Sequence, residues 1–247
     1  MPAQSVVVPT YNESGNVRPL VERISKALGG VDFELIVVDD STDGTERVLA
    51  ELARDTGYLR VVHRPARGGL ASAVVDGIAL ATGDVVCVLD ADLQHPPEAV
   101  PALTDALERT HADLAIASRY VPGGGYEFTA ARRAVSYVAT ALARMLLARA
   151  RSVSDPLSGF FAFRRAVVDG VRLNPIGYKI LLEILVRGRV SRVVEVPYRF
   201  EARRADRSKL TARQNVEFVR HLLALSRVQA PSVERVRNPQ PDSAIQR

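Results

Sequence analysis

Val85-Val86-Cys87-Val88-Leu89-Asp90-Ala91-Asp92-Leu93-Gln94-His95-Pro96-Pro97 decides the reading of this chain. The apolar run from Val85 to Leu89 follows Gly83-Asp84 and ends in two acids, so it is short, continuous and without alternation. Such a run reads as a strand buried on both faces, the kind that fills the middle of a parallel sheet. Open parallel sheets bind ligands at the carboxyl ends of their strands. Asp90 and Asp92 stand at that end with one alanine between them, and in extended chain alternate side chains share a face. Together with the amide oxygen of Gln94 they make a hard oxygen site that suits Mg2+ or Mn2+, with positions left open for diphosphate oxygens. His95 is a further candidate ligand, and a supporting or solvent-facing role suits it better.

Outward from this stretch the pattern repeats. Short apolar strands are expected at residues 5–8, 33–38, 59–63, 85–89 and 114–118, with helices at 17–28, 45–54, 70–81 and 97–108. Strands alternating with helices predict an α/β fold with a mostly parallel sheet covered by helices on both faces. Polar clusters fall at the strand ends: Pro9-Thr10-Tyr11-Asn12-Glu13, Asp39-Asp40-Ser41, Asp90 to Gln94, and Arg119. Asp39 and Asp40 can accept hydrogen bonds from a base or ribose, or cap the helix that starts at Thr45, where Asp43 is another cap candidate. Arg64, Arg67 and Gly68-Gly69 precede a helix and either attract an anion to its N-terminus or form only a turn.

No Gly-x-Gly-x-x-Gly follows the first strand and no Walker-type loop is present, so dinucleotide and P-loop folds are not indicated. The chain has 247 residues and a formal net charge of +5, carried almost wholly by arginine, since Lys26, Lys179 and Lys209 are its only lysines. Arginine forks match phosphate oxygens. Cys87 is the sole cysteine, so no internal disulfide forms.

As a set, these motifs resemble glycosyltransferase family 2: Pro9 to Glu13, Val38-Asp39-Asp40-Ser41-x-Asp43-Gly44-Thr45, Asp90 to Glu98, and Ser118-Arg119-Tyr120. Asp155-Pro156-Leu157-Ser158-Gly159-Phe160-Phe161 and Ser208-Lys209-Leu210 narrow the likeness to the dolichol-phosphate (polyprenol-phosphate) mannose synthases. The resemblance runs from about Ser5 to Arg227. It implies a GT-A fold and an inverting transfer of mannose from GDP-mannose to a dolichyl or polyprenyl phosphate. By motif position it implies that Pro9, Tyr11, Glu13, Val38 and Asp40 hold the nucleoside. Asp90, Asp92 and Gln94 would bind Mg2+ or Mn2+, with Ala91 packed on the donor. Arg119, Arg203 and Lys209 would face the donor phosphates, and Asp92 and Arg119 would be the catalytic pair. Asp206 stands where relatives often carry glycine, a departure within the Arg203–Lys209 loop. The chain has no tryptophan, which excludes the Gln-x-x-Arg-Trp motif of processive polysaccharide synthases.

Residues 1–229 read as one domain and 230–247 as a disordered polar tail. Residues 128–150, 177–187 and 211–227 read as amphipathic helices at a membrane interface, and no run is long enough to span a bilayer. On 128–150, Arg132, Ser136, Thr140 and Arg144 recur every four residues as a slanted polar stripe, and the resemblance puts the acceptor phosphate at Arg132 and Ser136. The expected partners are a nucleotide sugar, a polyprenyl phosphate and a membrane surface, not nucleic acid. The expected location is the cytoplasmic face of the membrane, as a peripheral protein. Two other readings stay open: the same fold moving another sugar from UDP-glucose or UDP-N-acetylglucosamine to a lipid phosphate or small acceptor, and a non-catalytic nucleotide-sugar-binding adaptor at the membrane.

Overall fold

The computed structural model describes residues 3–126, 130–201 and 212–238, with the backbone alone for 130–132 and 212. Chain order runs β1 (Gln4–Thr10), α1 (Val17–Ala27), β2 (Phe33–Asp39), α2 (Thr45–Asp55), β3 (Leu59–His63), α3 (Leu70–Leu80) and β4 (Val85–Val88). It continues through α4 (Val100–Thr110), β5 (Leu114–Ser118), β6 (Gly125–Tyr126), α5 (Ala130–Leu146), β7 (Phe161–Arg164) and α6 (Ile180–Arg187). β8 (Arg192–Pro197), β9 (Arg199–Phe200), α7 (Ala212–Leu225) and β10 (Glu234–Val236) complete it.

The main sheet has eight strands in the order β10-β8-β5-β7-β4-β1-β2-β3, and β6 pairs with β9 apart from it. Its apolar strands are buried on both faces, as their unbroken hydrophobic runs predict. Val6, Val8, Val37 and Cys87 point into the core under α1, α2 and α4. Val7, Ile36, Val38, Val86 and Val88 point into the opposite core under α3 and α6. Gly77 on α3 lets that helix lie directly on Val7, where a Cβ would clash.

β7 is antiparallel to both its neighbours, β4 and β5. A strand of that direction enters the sheet at the carboxyl edge of the parallel strands. The segment just before it, from Asp155 to Phe160, is thereby threaded between the ends of β4 and β5. The Ala117 amide donates to the Phe160 carbonyl at 3.0 Å, and the Ser158 hydroxyl donates to the Ala117 carbonyl at 2.8 Å.

Three expectations about the second half of the chain are corrected. The helix expected over 128–150 stops at Leu146, where Leu147 turns extended and a 3-10 turn (Ala148–Ser152) follows. That break lets the buried Arg149 donate to the Leu185 and Gly188 carbonyls at the end of α6, which have no partner within the helix. The helix expected at 177–187 is a core helix rather than an interface helix. Every residue from Ile180 to Val186 on α6 is buried, because α6 lies between the sheet and α5 and α7. The tail expected over 230–247 is in part structured. Val233 is buried, and β10 adds a parallel edge strand to β8, while residues 239–247 lie outside the described residues. Its three residues, Glu234-Arg235-Val236, form neither an apolar run nor an alternation that reads as a strand.

α5, α6 and α7 enclose a smaller core of their own, which includes Leu147, Leu157, Leu182, Phe218 and Leu222. Beneath it, the buried carboxylate of Glu183 accepts from His221 Nε2 at 2.8 Å and from the Asn174 amide at 2.7 Å. Burial pushes the Glu183 carboxyl upward, but those bonds and the Arg187 charge outweigh it and hold it below its ordinary value. Among the described residues no helix is long and apolar enough to cross a membrane.

Candidate active site

The loop after β4 is built around Asp90 and Asp92. The Leu89 amide still reaches the Val7 carbonyl at 3.3 Å, and the next amide, that of Asp90, donates to His95 Nδ1 at 3.1 Å. Between them the buried Leu93 holds a φ of 62°, a left-handed conformation that costs a bulky residue about 1–3 kcal/mol. The Gln94 amide donates to Asp92 Oδ1 at 3.2 Å, and Gln94 Nε2 donates to the Glu201 carbonyl at 3.0 Å, so Oε1 is its acceptor end. The Glu201 amide donates back to the Gln94 carbonyl, tying the loop to the chain that leaves β9. The Asp90 side chain is 32% exposed, whereas His95 is buried. Burial pushes the His95 imidazole down to about 4, against the pull of Asp92, so the ring is neutral. The Asp90 amide takes its Nδ1 lone pair.

Among the described residues no three His, Cys, Asp or Glu side chains form a metal cluster. The donor set is two carboxylates and one amide oxygen. Hard oxygens in that number fit Mg2+ or Mn2+ that completes its shell with ligand phosphates and water. Ala91 is buried between the two acids.

Facing this loop is a cationic wall. Arg119, just past β5, holds Asp155 bidentately, with Nε to Oδ2 at 2.7 Å and Nη2 to Oδ1 at 2.8 Å, while its amide also donates to Oδ2. Burial opposes the charge on Arg119, but Asp155 more than offsets it and raises its pKa, so Arg119 stays a cation. Nη1 is the edge that Asp155 does not take. Asp155 is itself held from behind. Its amide and that of Ser154 donate to Glu195, which Arg235 on β10 pairs at 3.0 Å. Lys179, at the start of α6, donates from Nζ to the Leu157 carbonyl at 2.8 Å. Burial and the charge of Arg119 push its amine down to about 8, against the opposing pull of Asp90 and Asp155. Lys179 therefore shares one electrostatic site with Asp90, Arg119 and Asp155.

Sequence reasoning missed Asp155, Lys179 and Glu195 as site residues. All three carried a signal: Asp155 opens the stretch Asp155 to Phe161 that narrows the family likeness, Glu195 is a lone acid inside Val193-Val194-Glu195-Val196, and Lys179 is one of the few lysines.

At the other end of the cleft the expected nucleoside residues are brought together at the ends of β1 and β2. The Tyr11 ring lies under the Arg67 guanidinium, 3.7 Å from its centroid. The Glu13 amide donates to the Thr45 hydroxyl, and Glu13 Oε2 accepts from Asn16 Nδ2. Pro9 is buried within β1. The Val38 side chain points into the core under α3, which leaves its backbone as the part a nucleoside would meet. Asp40 is committed to its own loop. It takes the Arg64 fork and the Gly68 and Gly69 amides at 3.1 Å, which hold it below its usual value although burial pushes the other way. Asp39 accepts from Thr10, Ser41 and His63 and is fully buried. The N-cap of α2 is neither of them but Gly44, and the residue before it, Asp43, accepts the Thr45 amide and hydroxyl on Oδ1.

Ser136 on α5 meets the Tyr120 hydroxyl at 2.8 Å, which turns the polar stripe of that helix toward Arg119. Thr140 is buried and Arg144 donates to the Val153 carbonyl. Arg132 is on the first turn of α5, but its side chain lies outside the described residues, as do Arg203, Asp206 and Lys209 entirely.

The chain is 47% identical over 223 residues to a dolichol-phosphate mannosyltransferase of Pyrococcus furiosus, covering 90% of this chain and 63% of the relative, so it spans under two thirds of that protein's length. It is 36% identical over 239 residues to a dolichol-phosphate mannosyltransferase of Mycosarcoma maydis, covering 92% of this chain and 80% of the relative. Among solved structures it is similar, with a TM-score of 0.71 and 25% identity over 93% of this chain and 81% of the other, to glucosyl-3-phosphoglycerate synthase from Mycobacterium tuberculosis in complex with Mn2+, UDP-glucose and phosphoglyceric acid. The family model for glycosyl transferase family 2 matches residues 5–172, from the first strand through the acidic loop, Arg119 and Asp155, and the chain belongs to that family.

Proposed function

We propose that this protein transfers mannose from GDP-mannose to a dolichyl or other polyprenyl phosphate, with inversion, giving polyprenyl-phosphate mannose and GDP. The observation that carries the reading is the acidic loop of Asp90, Asp92 and Gln94 facing the Arg119–Asp155–Lys179 wall. The kinship to dolichol-phosphate mannosyltransferases supports the sugar and the acceptor.

An acceptor phosphate is already an anion at neutral pH, so no strong general base is needed. Its oxygen attacks the anomeric carbon, the bond from that carbon to the diphosphate breaks, and the electron pair leaves on the diphosphate. One in-line displacement inverts the carbon, and positioning supplies much of the rate. When bound to Asp90, Asp92 and Gln94, Mg2+ or Mn2+ supplies charge stabilisation for the leaving diphosphate. Arg119, locked by Asp155, offers Nη1 to a phosphate oxygen without reorganising. Lys179 adds a second cation, and Arg203 and Lys209 are assigned to the donor phosphates. Tyr11 gives the base a ring to stack on, and Pro9 and Glu13 line the same end, with Asp40 shaping the loop above it. Arg132 and Ser136 are assigned to the acceptor phosphate.

The lipid side is the outer face of α5 and α7. Val135 is 61% exposed and Val138 56%, and Met145, Val216, Val219 and Leu223 are exposed beside them. The exposed Arg133, Arg213, Arg220 and Arg227 rim that face. Apolar residues at helical spacing within a basic rim suit an anionic membrane surface on the cytoplasmic side.

A second reading keeps the site and changes the substrates, to UDP-glucose or UDP-N-acetylglucosamine and a small phosphorylated acceptor. The likeness to the mycobacterial synthase favours it. A panel of GDP-mannose, UDP-glucose and UDP-N-acetylglucosamine, each with polyprenyl phosphate or phosphoglycerate and Mn2+, separates the two by mass spectrometry. Mannosylated lipid with GDP-mannose alone is the expected outcome, and transfer only to the soluble acceptor would overturn it.

A further inference from the structure

His95 is the one buried polar side chain of the acidic loop that no step above uses. It stands where the ladder of β4 ends. Leu89 is the last residue there whose amide finds a strand partner, and the Asp90 amide is the first beyond it. That amide has no sheet to pair with, and His95 Nδ1 takes it, closing the loop from Asp90 to His95 on itself. Within the closed loop Leu93 is held in a left-handed conformation, which a bulky residue keeps only when its surroundings over-determine it.

The ring has no room to move. It is 2% exposed and stacks on Phe160 at 5.4 Å, with Tyr198 at 5.9 Å and the edge of Phe200 at 5.4 Å. Gly159 packs beneath it so tightly that a Cβ there would stand 3.1 Å from the ring's Cε1 and 3.0 Å from Asp90 Oδ2. An Nδ1 that accepts a hydrogen bond leaves the ring proton on Nε2.

We propose that His95 is a positioning residue, whose Nδ1 fixes the backbone of Asp90 and thereby aims the Asp90 and Asp92 carboxylates at one point. It acts by accepting a hydrogen bond, not by touching the cation. The inference rests on the reading of Asp90 and Asp92 as the metal site.

Two substitutions separate acceptor from packing. His95→Asn puts an amide oxygen at the δ position where Nδ1 stands. His95→Leu fills the aromatic box and offers no acceptor. Backbone hydrogen exchange across residues 90–95 of the metal-free protein reports the loop, and calorimetry with Mn2+ in the presence of GDP reports the site. Partners that orient metal ligands commonly change affinity by about 10- to 100-fold, so His95→Leu should weaken Mn2+ by about tenfold or more. It should also speed exchange at Asp90, while His95→Asn stays close to wild type on both measures. Equal Mn2+ binding and equal exchange in His95→Leu would overturn the proposal, as would His95→Asn failing as badly as His95→Leu. Should His95→Leu not fold, His95→Gln, which moves the acceptor to the ε position, takes its place with the same expected loss. Were wild type to bind no Mn2+, the metal reading would fall, and the exchange at Asp90 would still decide whether His95 closes the loop.

Discussion

Two acid pairs end two strands of the same sheet. Asp39-Asp40 ends β2, and Asp90-Ala91-Asp92 follows β4. In sequence they look alike, and in the structure their surroundings differ. β2 lies between β1 and β3, and both neighbours end in polar residues, so Thr10 and His63 reach the Asp39 carboxylate from either side while Arg64 and the Gly68-Gly69 amides close on Asp40. β4 lies between β1 and the antiparallel β7, whose approach passes Asp90 at Gly159. Gly159 packs against Asp90 without adding a side chain of its own, and the Asp90 side chain keeps about a third of its surface. An acid pair at a strand end is a frame or a site according to what the adjacent strands bring to it.

The largest expected effect tests the second pair. Asp92→Asn keeps size and removes charge, so turnover should fall by about a hundred- to a few thousand-fold, equivalent to about 3–5 kcal/mol in the barrier. Its melting temperature should match wild type, and a chelator should abolish wild-type turnover in the same assay. Near-normal transfer by Asp92→Asn would remove the distinction between the pairs.

The first pair should answer the opposite way. Asp40→Asn leaves Arg64, which is 12% exposed, with a buried charge half-paired. Breaking such a pair costs about 2–4 kcal/mol once the partial exposure is allowed for. Denaturant unfolding should show that loss, while turnover per folded molecule changes far less than in Asp92→Asn.

The comparison sharpens through Lys179, whose amine shares one electrostatic site with Asp90 of the second pair. Its amine, pushed down to about 8, is a cation below that pH and loses its charge above it. Attraction to a diphosphate is thus full on the acid side and lost as pH rises, so GDP affinity should fall by up to about tenfold per pH unit above 8 until the pKa of the complex is reached. Lys179→Arg keeps its charge and should show a flat profile between pH 7 and 9. An identical fall in wild type and Lys179→Arg would take Lys179 out of the donor site.

The smallest effect belongs to the outer face. Val138→Glu with Val219→Glu should lower binding to anionic vesicles by about tenfold, with added salt weakening what remains. GDP affinity should not change, since neither residue approaches an acid pair. Leu142 and Leu222 would be poor probes, because both pack into the core shared by α5, α6 and α7.

How far the sequence reveals this follows from the range of the contacts. The half of the sheet built from β1 to β4 is read off its apolar runs, since each strand there is a short hydrophobic stretch joined to the next by a helix. β7 escaped because Phe161–Arg164 is brief and its partners are distant in sequence. α6 was misassigned because an apolar helix looks the same whether lipid or protein covers it. Asp90, Asp92 and Gln94 announced themselves by spacing. Asp155, Lys179 and Glu195 gave weaker signals, because the surroundings that define them come from far along the chain, Asp155 from Arg119 and Glu195 from the amides of Ser154 and Asp155.

The account turns on which acid pair holds the cation. Titrating Mn2+ by calorimetry, with GDP present, into wild type, Asp92→Asn and Asp40→Asn tests this without reference to turnover. The account predicts saturable binding to wild type, its loss in Asp92→Asn and its retention in folded Asp40→Asn. Undiminished binding to Asp92→Asn, or loss confined to Asp40→Asn, would contradict it.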